Sequence, residues 1–431
     1  MIESLTVQNF KSFAETDNVL KLGPLSLIIG TNASGKSNLR DALRFIHGLS
    51  RGYSLAEIIG EKYVEGGVLQ WKGIRGGVRE TVRKNPTDQK NFFRLQVVTQ
   101  LDEEPLQATY SITVDVGDKN VPPYVRNESL VVGGRGNYIF NTDPDGQSLN
   151  SGGDSRNITA QLRKESRGFV GPRLSFRADQ PILTQIFGPR YGYDETHSLH
   201  SVRTYVPAFF RTIASIRFLD LEPNALRRPS IPGQTVLGDK GENLSSVLQA
   251  ICSDPVKKQA LIEWTRELTP LDVTDFKFPE VSLEGKIQLQ LVESERDISA
   301  ESASDGTLRF LAFAAALLGP DPARCYFFEE LENGIHPNRT HLLIDLLKTA
   351  TRDGKIQIIG TTHSPALLNY IDDEIGRKAS ITYRKGPVSK IKSLNDIPEL
   401  WKIAPTAGKG QLLESGWFDI VLSYMEGRDG K

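Results

Sequence analysis

The sequence predicts an α/β fold of the P-loop nucleotide-binding kind, with an antiparallel β subdomain and a helical or irregular insertion. Three observations predict it. A phosphate-loop pattern separates a strand-like run from a helix-like run near residue 30. Two further apolar runs, 325–328 and 356–360, stop abruptly at acids and at a Thr-Thr-His-Ser-Pro segment. Between residues 92 and 141 apolar and polar side chains alternate. A strand buried on both faces reads as an unbroken apolar run, whereas a half-exposed strand alternates, so these patterns describe two kinds of sheet.

The phosphate loop is Gly30-Thr31-Asn32-Ala33-Ser34-Gly35-Lys36-Ser37, a full match to GxxxxGK[ST]. Its glycines let successive N–H groups turn inward onto phosphate oxygens, Lys36 reaches the terminal phosphates, and the Ser37 hydroxyl ligates Mg²⁺. Asn38 follows at the start of the helix. "LSLIIG" precedes the loop as a buried strand, and "KSNLRDALRFIHGL" places Leu39, Leu43 and Ile46 on one helical face. That context predicts nucleotide binding and leaves kinases, GTPases, transporters and DNA machines open.

Further along, Cys325–Phe328 ends in Glu329-Glu330, an arrangement that can put one carboxylate on a Mg²⁺ shell and the next against an attacking water. The segment "ESASDGTLRFLAFAAALLG" opens a helix at Ser304-Asp305-Gly306, whose first-turn N–H groups attract anions; Ser304 also suits a plain N-cap. "IQIIGTTHSPALLN" delivers His363 at the exit of another buried strand.

These pieces occur in the order of the ABC-type ATPases. "NFKSF", "GTNASGKSNL", "SASDGTLR", "FFEELENGIHP" and "TTHSP" resemble the RecF/SMC-like branch, in particular the prokaryotic predicted ATPases grouped with the OLD-type enzymes. The resemblance implies an ABC-type ATPase head. It gives Glu329 the Walker B position, Glu330 the catalytic base, His363 the switch histidine that senses the γ-phosphate, and Ser304 and Gly306 the signature that touches the nucleotide of a second subunit. It therefore implies a head-to-head homodimer with ATP and Mg²⁺ at its interface. Closing a second surface over the nucleotide supplies donors that one P-loop lacks. The signature reads SASDG, which places an acid, Asp305, beside that site. Gln70 and Gln96 are candidates for the Q-loop glutamine, and Lys11 for a base contact.

Three segments are expected: 1–145, an N-terminal ATPase lobe with the P-loop and antiparallel β subdomain; 146–275, an insertion and helical region; and 276–431, a C-terminal lobe with signature, Walker B acids and switch histidine. "FFRLQVVTQL", "LQATYSITVDV", "ESLVVGG" and "GNYIFNT" read as strands, 143–157 as a turn-rich loop, 236–268 as helical and "KIQLQLVESE" as strand. No long heptad arm separates the two halves. Residues 156–177 carry Arg156, Arg163, Lys164, Arg167, Arg173 and Arg177 against Glu165, with Phe169 and Phe176 interleaved, a composition that suits a nucleic-acid backbone, a solvated insertion face or a surface for a protein partner.

Composition bounds the function class. With 52 basic and 53 acidic residues there is no global positive field, so DNA contact needs a local patch. Cys252 and Cys325 give neither a metal spacing nor a disulfide framework, in keeping with a reducing cytoplasm. His197 and His200 lack acidic or cysteine partners at metal spacing. No apolar run reaches the roughly 18 residues of a membrane span, and the N-terminus does not read as a signal peptide. The 68 residues after His363 lack the acidic strand-end pattern of the Toprim nuclease that OLD-type enzymes carry there. The expectation is a cytoplasmic ATPase serving a separate effector such as a nuclease or toxin, in anti-phage defence or DNA maintenance. The competing expectation is a RecF-like protein that clamps DNA directly.

Overall fold

Four strands with little or no polar alternation build the central sheet of one unit of the structure. The computed structural model describes all residues except 17, 85–89, 102–105, 119–120, 135, 145–155, 164–169, 187–199, 270, 295 and 430–431. The chain divides into two compact units that interleave along the sequence: 1–23, 30–216 and 380–392 in the first, 24–29, 217–379 and 393–431 in the second.

In the second unit, strands Ile216–Leu219, Cys325–Phe328, Gln357–Thr362 and Leu25–Ile29 are neighbours in that order. Gln357–Thr362 pairs in parallel with both Cys325–Phe328 and Leu25–Ile29, and Thr362 lies opposite Ile29. All residues of these three strands are buried, as a parallel sheet covered on both faces requires. Helix Asp305–Leu318 supplies much of the cover, with Phe313 set edge-on to Phe328 at 4.8 Å between ring centres. Helices Leu244–Cys252 and Pro255–Leu268 pack on Asp305–Leu318 in turn. The expected helical stretch 236–268 is shorter than its periodicity proposed: it begins at Leu244 and is broken where Asp254 caps the second helix ahead of Pro255. Within "KIQLQLVESE" only Gln290–Val292 is strand, the centre of a three-stranded sheet with Asp275–Lys277 and Asp297–Ser299.

The first unit is dominated by an antiparallel eight-stranded sheet. Its spatial order is Val170–Arg177, Asn157–Arg163, Tyr138–Asn141, Tyr124–Val132, Gln107–Asp115, Phe92–Gln100, Ile2–Gln8 and Asn18–Lys21. Alternation works as expected: Phe93, Leu95 and Val97 are buried, as are Tyr110 and Ile112. The P-loop helix Lys36–Leu49 meets this face through Phe45 and Phe93, and helix His200–Ala214 through Phe209 and Tyr110.

The sheet continues past residue 145, where an insertion was expected to begin. Ile158, Ala160 and Leu162 are buried in alternation, a strand signal obscured by the charged residues around it. Phe176 is also buried, 1% exposed, so it is a core residue rather than a stacking platform for bases. Arg173 donates to Gln161 and Arg177 pairs with Asp179. Lys164, Glu165, Arg167, Phe169 and His197, together with most of the 143–157 loop, lie outside the described residues.

Candidate functional site

Each unit carries part of the expected nucleotide chemistry. In the first, the P-loop leaves Ile29 with Ala33 at φ 61° and Gly35 at φ 120°. A left-handed residue followed by a glycine curls the backbone so that successive N–H groups converge, the geometry that cradles anions. The glycines are required sterically as well. A Cβ on Gly35 would press on Ser389 and the Phe13 ring, and one on Gly30 would strike Thr382 and Ser34.

Side chains from distant sequence brace this loop. The Ser34 hydroxyl meets the Thr382 hydroxyl at 2.7 Å, and Asn38 donates to the Ser12 Oγ at 2.7 Å, which in turn meets Ser389 at 2.7 Å. The "NFKSF" segment thus wraps the start of the P-loop helix. Lys11 does not hold its ammonium out for a base: it pairs with the buried Asp41 at 2.9 Å, which Arg75 also approaches at 3.1 Å. Lys36 is buried and donates across the loop to the Gly30 and Thr31 carbonyls at 2.5 and 3.0 Å. Thr31, Asn32 and Ala33 form the loop's outer rim, exposed to solvent. Ser37 sits in the first turn of the helix. Gln70 lies exposed on the hairpin strand Val68–Trp71, and Gln96 is mid-sheet opposite Thr6 and Ser111.

The second unit sets the acidic turn 329–332 against the end of strand Gln357–Thr362 and His363. Cys325–Phe328 delivers Glu329 and Glu330, and Glu330 has φ 50°, one of four described non-glycine residues with positive φ. Such a conformation persists only where surroundings enforce it. Here the Glu330 N–H donates to the Thr361 Oγ1 at 2.9 Å, and the Leu331 N–H to the Thr361 carbonyl at 3.1 Å. The next strand therefore holds the acidic turn from the side. Asn333 donates weakly to the Glu330 carboxylate at 3.4 Å. The His363 N–H donates to Glu332 at 3.0 Å.

Ser304 caps helix Asp305–Leu318 by accepting from the Thr307 N–H at 3.1 Å. A Cβ on Gly306 would overlap the Gly334 carbonyl, so the glycine allows the helix start and the 330–335 turn to touch. A cavity of about 370 Å³ opens there, lined by Thr269, Ser304, Gly306, Phe310, His336 and Arg339. The Arg339 Nη1 is buried without a hydrogen-bond partner. Asp305, the acid in the signature, is neutralised locally: Arg227 pairs with it at 2.6 Å and also donates to the Ala303 carbonyl.

Among the described residues no cluster of three or more His, Cys, Asp or Glu side chains could hold a metal by itself. Burial pushes the Cys325 thiol up to about 12 and the Cys252 thiol up to about 11, so neither is a nucleophile near neutral pH. No described helix is long and apolar enough to cross a membrane.

Residues 25–96 and 256–369 match the family described as "AAA domain, putative AbiEii toxin, Type IV TA system". Over 396 residues the chain is 22% identical to an ATP/GTP phosphatase of Helicobacter pylori, covering 88% of this chain and 89% of that protein. A shorter stretch is 28% identical to structural maintenance of chromosomes protein 2 of Gallus gallus, covering 32% of this chain and 10% of that one. The crystal structure of an Smc head bound to the C-winged helix domain of ScpA shares the fold, with a TM-score of 0.50 at 15% identity over 93% of this chain and 99% of that one. The chain is a P-loop ATPase that has the Smc-head fold and is similar to these proteins.

Two residues of this ATPase escaped the sequence reading. Glu332 follows the acidic pair closely but has no motif of its own, and only the fold brings it to His363. Arg309 sits in the first turns of the helix after Gly306, half-buried, with its Nε lacking a partner. Burial lowers its guanidinium below the ordinary value, opposed by Asp220, Glu330 and Asp305 nearby. A positive charge within reach of Glu330 was not legible, because an arginine inside an apolar helix reads as one that extends to solvent.

Proposed function

We propose that this ATPase hydrolyses ATP in a Mg²⁺-dependent reaction at a composite site closed by a second copy of the chain, and that it serves as sensor or motor for a separate effector protein. The observation that carries the reading is Glu330, held in a left-handed conformation at the end of a buried strand by hydrogen bonds from its own N–H and that of Leu331 to Thr361. Strain of this kind is retained where a side chain must be aimed.

Lys36 and the N–H groups of residues 31–36 bind the phosphates, and Asn38 anchors the start of the helix. Ser37 and Glu329 are the residues that would hold Mg²⁺, which would supply charge neutralisation for the phosphates. Glu330 accepts a proton from the attacking water, and His363 contacts the γ-phosphate. Phosphoryl transfer spreads charge over the terminal oxygens, so catalysis rests on positioning and on donors around them. Ser304 and Gly306, with the cavity beside them, present a helix N-terminus suited to the nucleotide of the opposing subunit. Asp305 does not oppose this role, since Arg227 balances its charge.

The biological setting follows by analogy: the matched family's description names a toxin and a toxin–antitoxin system, and the Smc head was solved with a protein partner. Anti-phage defence or DNA maintenance in the cytoplasm, with a nuclease or toxin as effector, is the setting we favour. Glu330→Gln tests the chemistry. It is expected to bind ATP normally, to slow hydrolysis by about 10²–10⁴-fold, and to accumulate an ATP-bound dimer in light scattering. A normal rate would move the base elsewhere. Mass spectrometry of proteins retained by tagged Glu330→Gln from its native host, with ATP and with ADP, tests the effector. A protein held in one nucleotide state supports the reading, and DNA alone replaces it with a direct clamp.

A further inference from the structure

Glu332 carries no assigned task, yet its carboxylate is held against His363. Its side chain is 11% exposed, and one of its oxygens, Oε1, receives the His363 backbone N–H at 3.0 Å. The same oxygen stands 3.4 Å from the His363 Nδ1. The other, Oε2, is buried with no hydrogen-bond partner. The backbone of the turn fixes where the carboxylate starts: the Leu331 N–H bonds to the Thr361 carbonyl, and the Ile335 N–H closes onto the Glu332 carbonyl at 3.0 Å.

A buried carboxylate oxygen without a donor costs free energy, so the acid must gain elsewhere. Its two available partners are both on His363. An ionised carboxylate only accepts, so turning the 3.4 Å approach into a hydrogen bond requires the hydrogen on the ring nitrogen that faces it. In the neutral imidazole that favours the Nδ1–H tautomer and leaves Nε2 as the ring's acceptor, on a side chain that is 46% exposed.

We infer that Glu332 is the positioning residue of His363: it selects the Nδ1–H tautomer and holds the ring so that Nε2 faces the nucleotide. The inference rests on the placement of His363 at the nucleotide proposed above, and it adds a residue whose effect passes wholly through the histidine. Glu332 touches neither water nor phosphate in this scheme. Removing it leaves the ring free to rotate and to populate the Nε2–H tautomer, which offers the nucleotide a different atom.

The test is a long-range ¹H–¹⁵N correlation spectrum of the full-length protein with ¹⁵N-labelled histidine, His363→Gln identifying the resonance, alongside steady-state hydrolysis of ATP. The wild-type ring is expected as the Nδ1–H tautomer. Glu332→Ala is expected to shift it toward Nε2–H and to lower kcat by about tenfold to a hundredfold, with KM changed less than about twofold. Glu332→Gln keeps an acceptor oxygen and is expected to retain the Nδ1–H tautomer and a rate within about threefold of wild type; it also serves where the alanine variant fails to fold. An Nε2–H tautomer in the wild type, or the same tautomer in wild type and Glu332→Ala, overturns the inference. A shifted tautomer with unchanged kcat in both Glu332→Ala and His363→Gln upholds the positioning and instead removes His363 from the chemistry.

Discussion

The phosphate loop and the acidic turn both hold polar groups at the end of a buried strand, but they do so by different physical means. The loop is shaped from within. Ala33 and Gly35 take up positive φ, Gly30 and Gly35 leave room for Thr382 and Ser389, and the donors are backbone N–H groups that any sequence with those glycines presents. The acidic turn is shaped from outside. Glu330 has a side chain and still adopts φ 50°, because Thr361 on the next strand takes its N–H, and Glu332 finds His363 across the same boundary. A local device tolerates changes around it, whereas a device assembled from remote residues fails when any one partner moves.

Breaking the local device should give the largest effect. Lys36→Ala removes the ammonium that spans the loop and is expected to abolish nucleotide binding in calorimetric titration. A loss of less than about tenfold in affinity would count against the loop as the phosphate site. Next comes the surface that the assembled device is proposed to offer a second copy. Ser304→Arg is expected to eliminate the ATP-dependent dimer in light scattering while thermal unfolding shifts by no more than about 2–4 °C, the change that about 1 kcal/mol makes in a large domain. A monomeric, fully active Ser304→Arg protein would remove the shared site.

The smallest effect sharpens the contrast between the two settings of a buried acid. Glu128, in strand Tyr124–Val132, is fully buried and accepts from the Tyr110 hydroxyl at 2.9 Å and from the Ile182 and Leu183 N–H groups at 2.7 and 2.8 Å. Burial nevertheless raises its carboxyl to about 7, against hydrogen bonds that act to lower it. The unfolded chain gives up this proton near its ordinary value of 4.5, so the folded form binds more protons between the two values and stability falls as pH rises through that window. Comparing urea unfolding of wild type with Glu128→Gln, we expect the wild-type advantage to shrink by on the order of 3 kcal/mol between about pH 4.5 and pH 7.5. A constant difference would mean that the three donors keep Glu128 ionised in the folded protein throughout.

What could be read before folding was what depends on neighbours in the chain. The unbroken apolar runs gave the buried parallel strands, and the alternation in "FFRLQVVTQ" and "QATYSITVD" gave the antiparallel ones. The strand Asn157–Arg163 was harder to read because polar residues and Arg163 on its open face, with Arg156 beside it, outweighed three small or aliphatic residues facing in. For the same reason Phe176 looked available for stacking when it is core.

The P-loop, its strand and its helix are written in consecutive residues, since glycine placement and local periodicity dictate backbone shape over a few residues. The bracing of that loop by Ser12, Thr382 and Ser389, the neutralisation of Asp305 by Arg227 and the pairing of Glu332 with His363 belong to the tertiary structure alone. Each joins residues about 30 to more than 370 positions apart, and a hydrogen bond or ion pair over such separations has no signature in the chain until the strands and helices that carry its partners have packed.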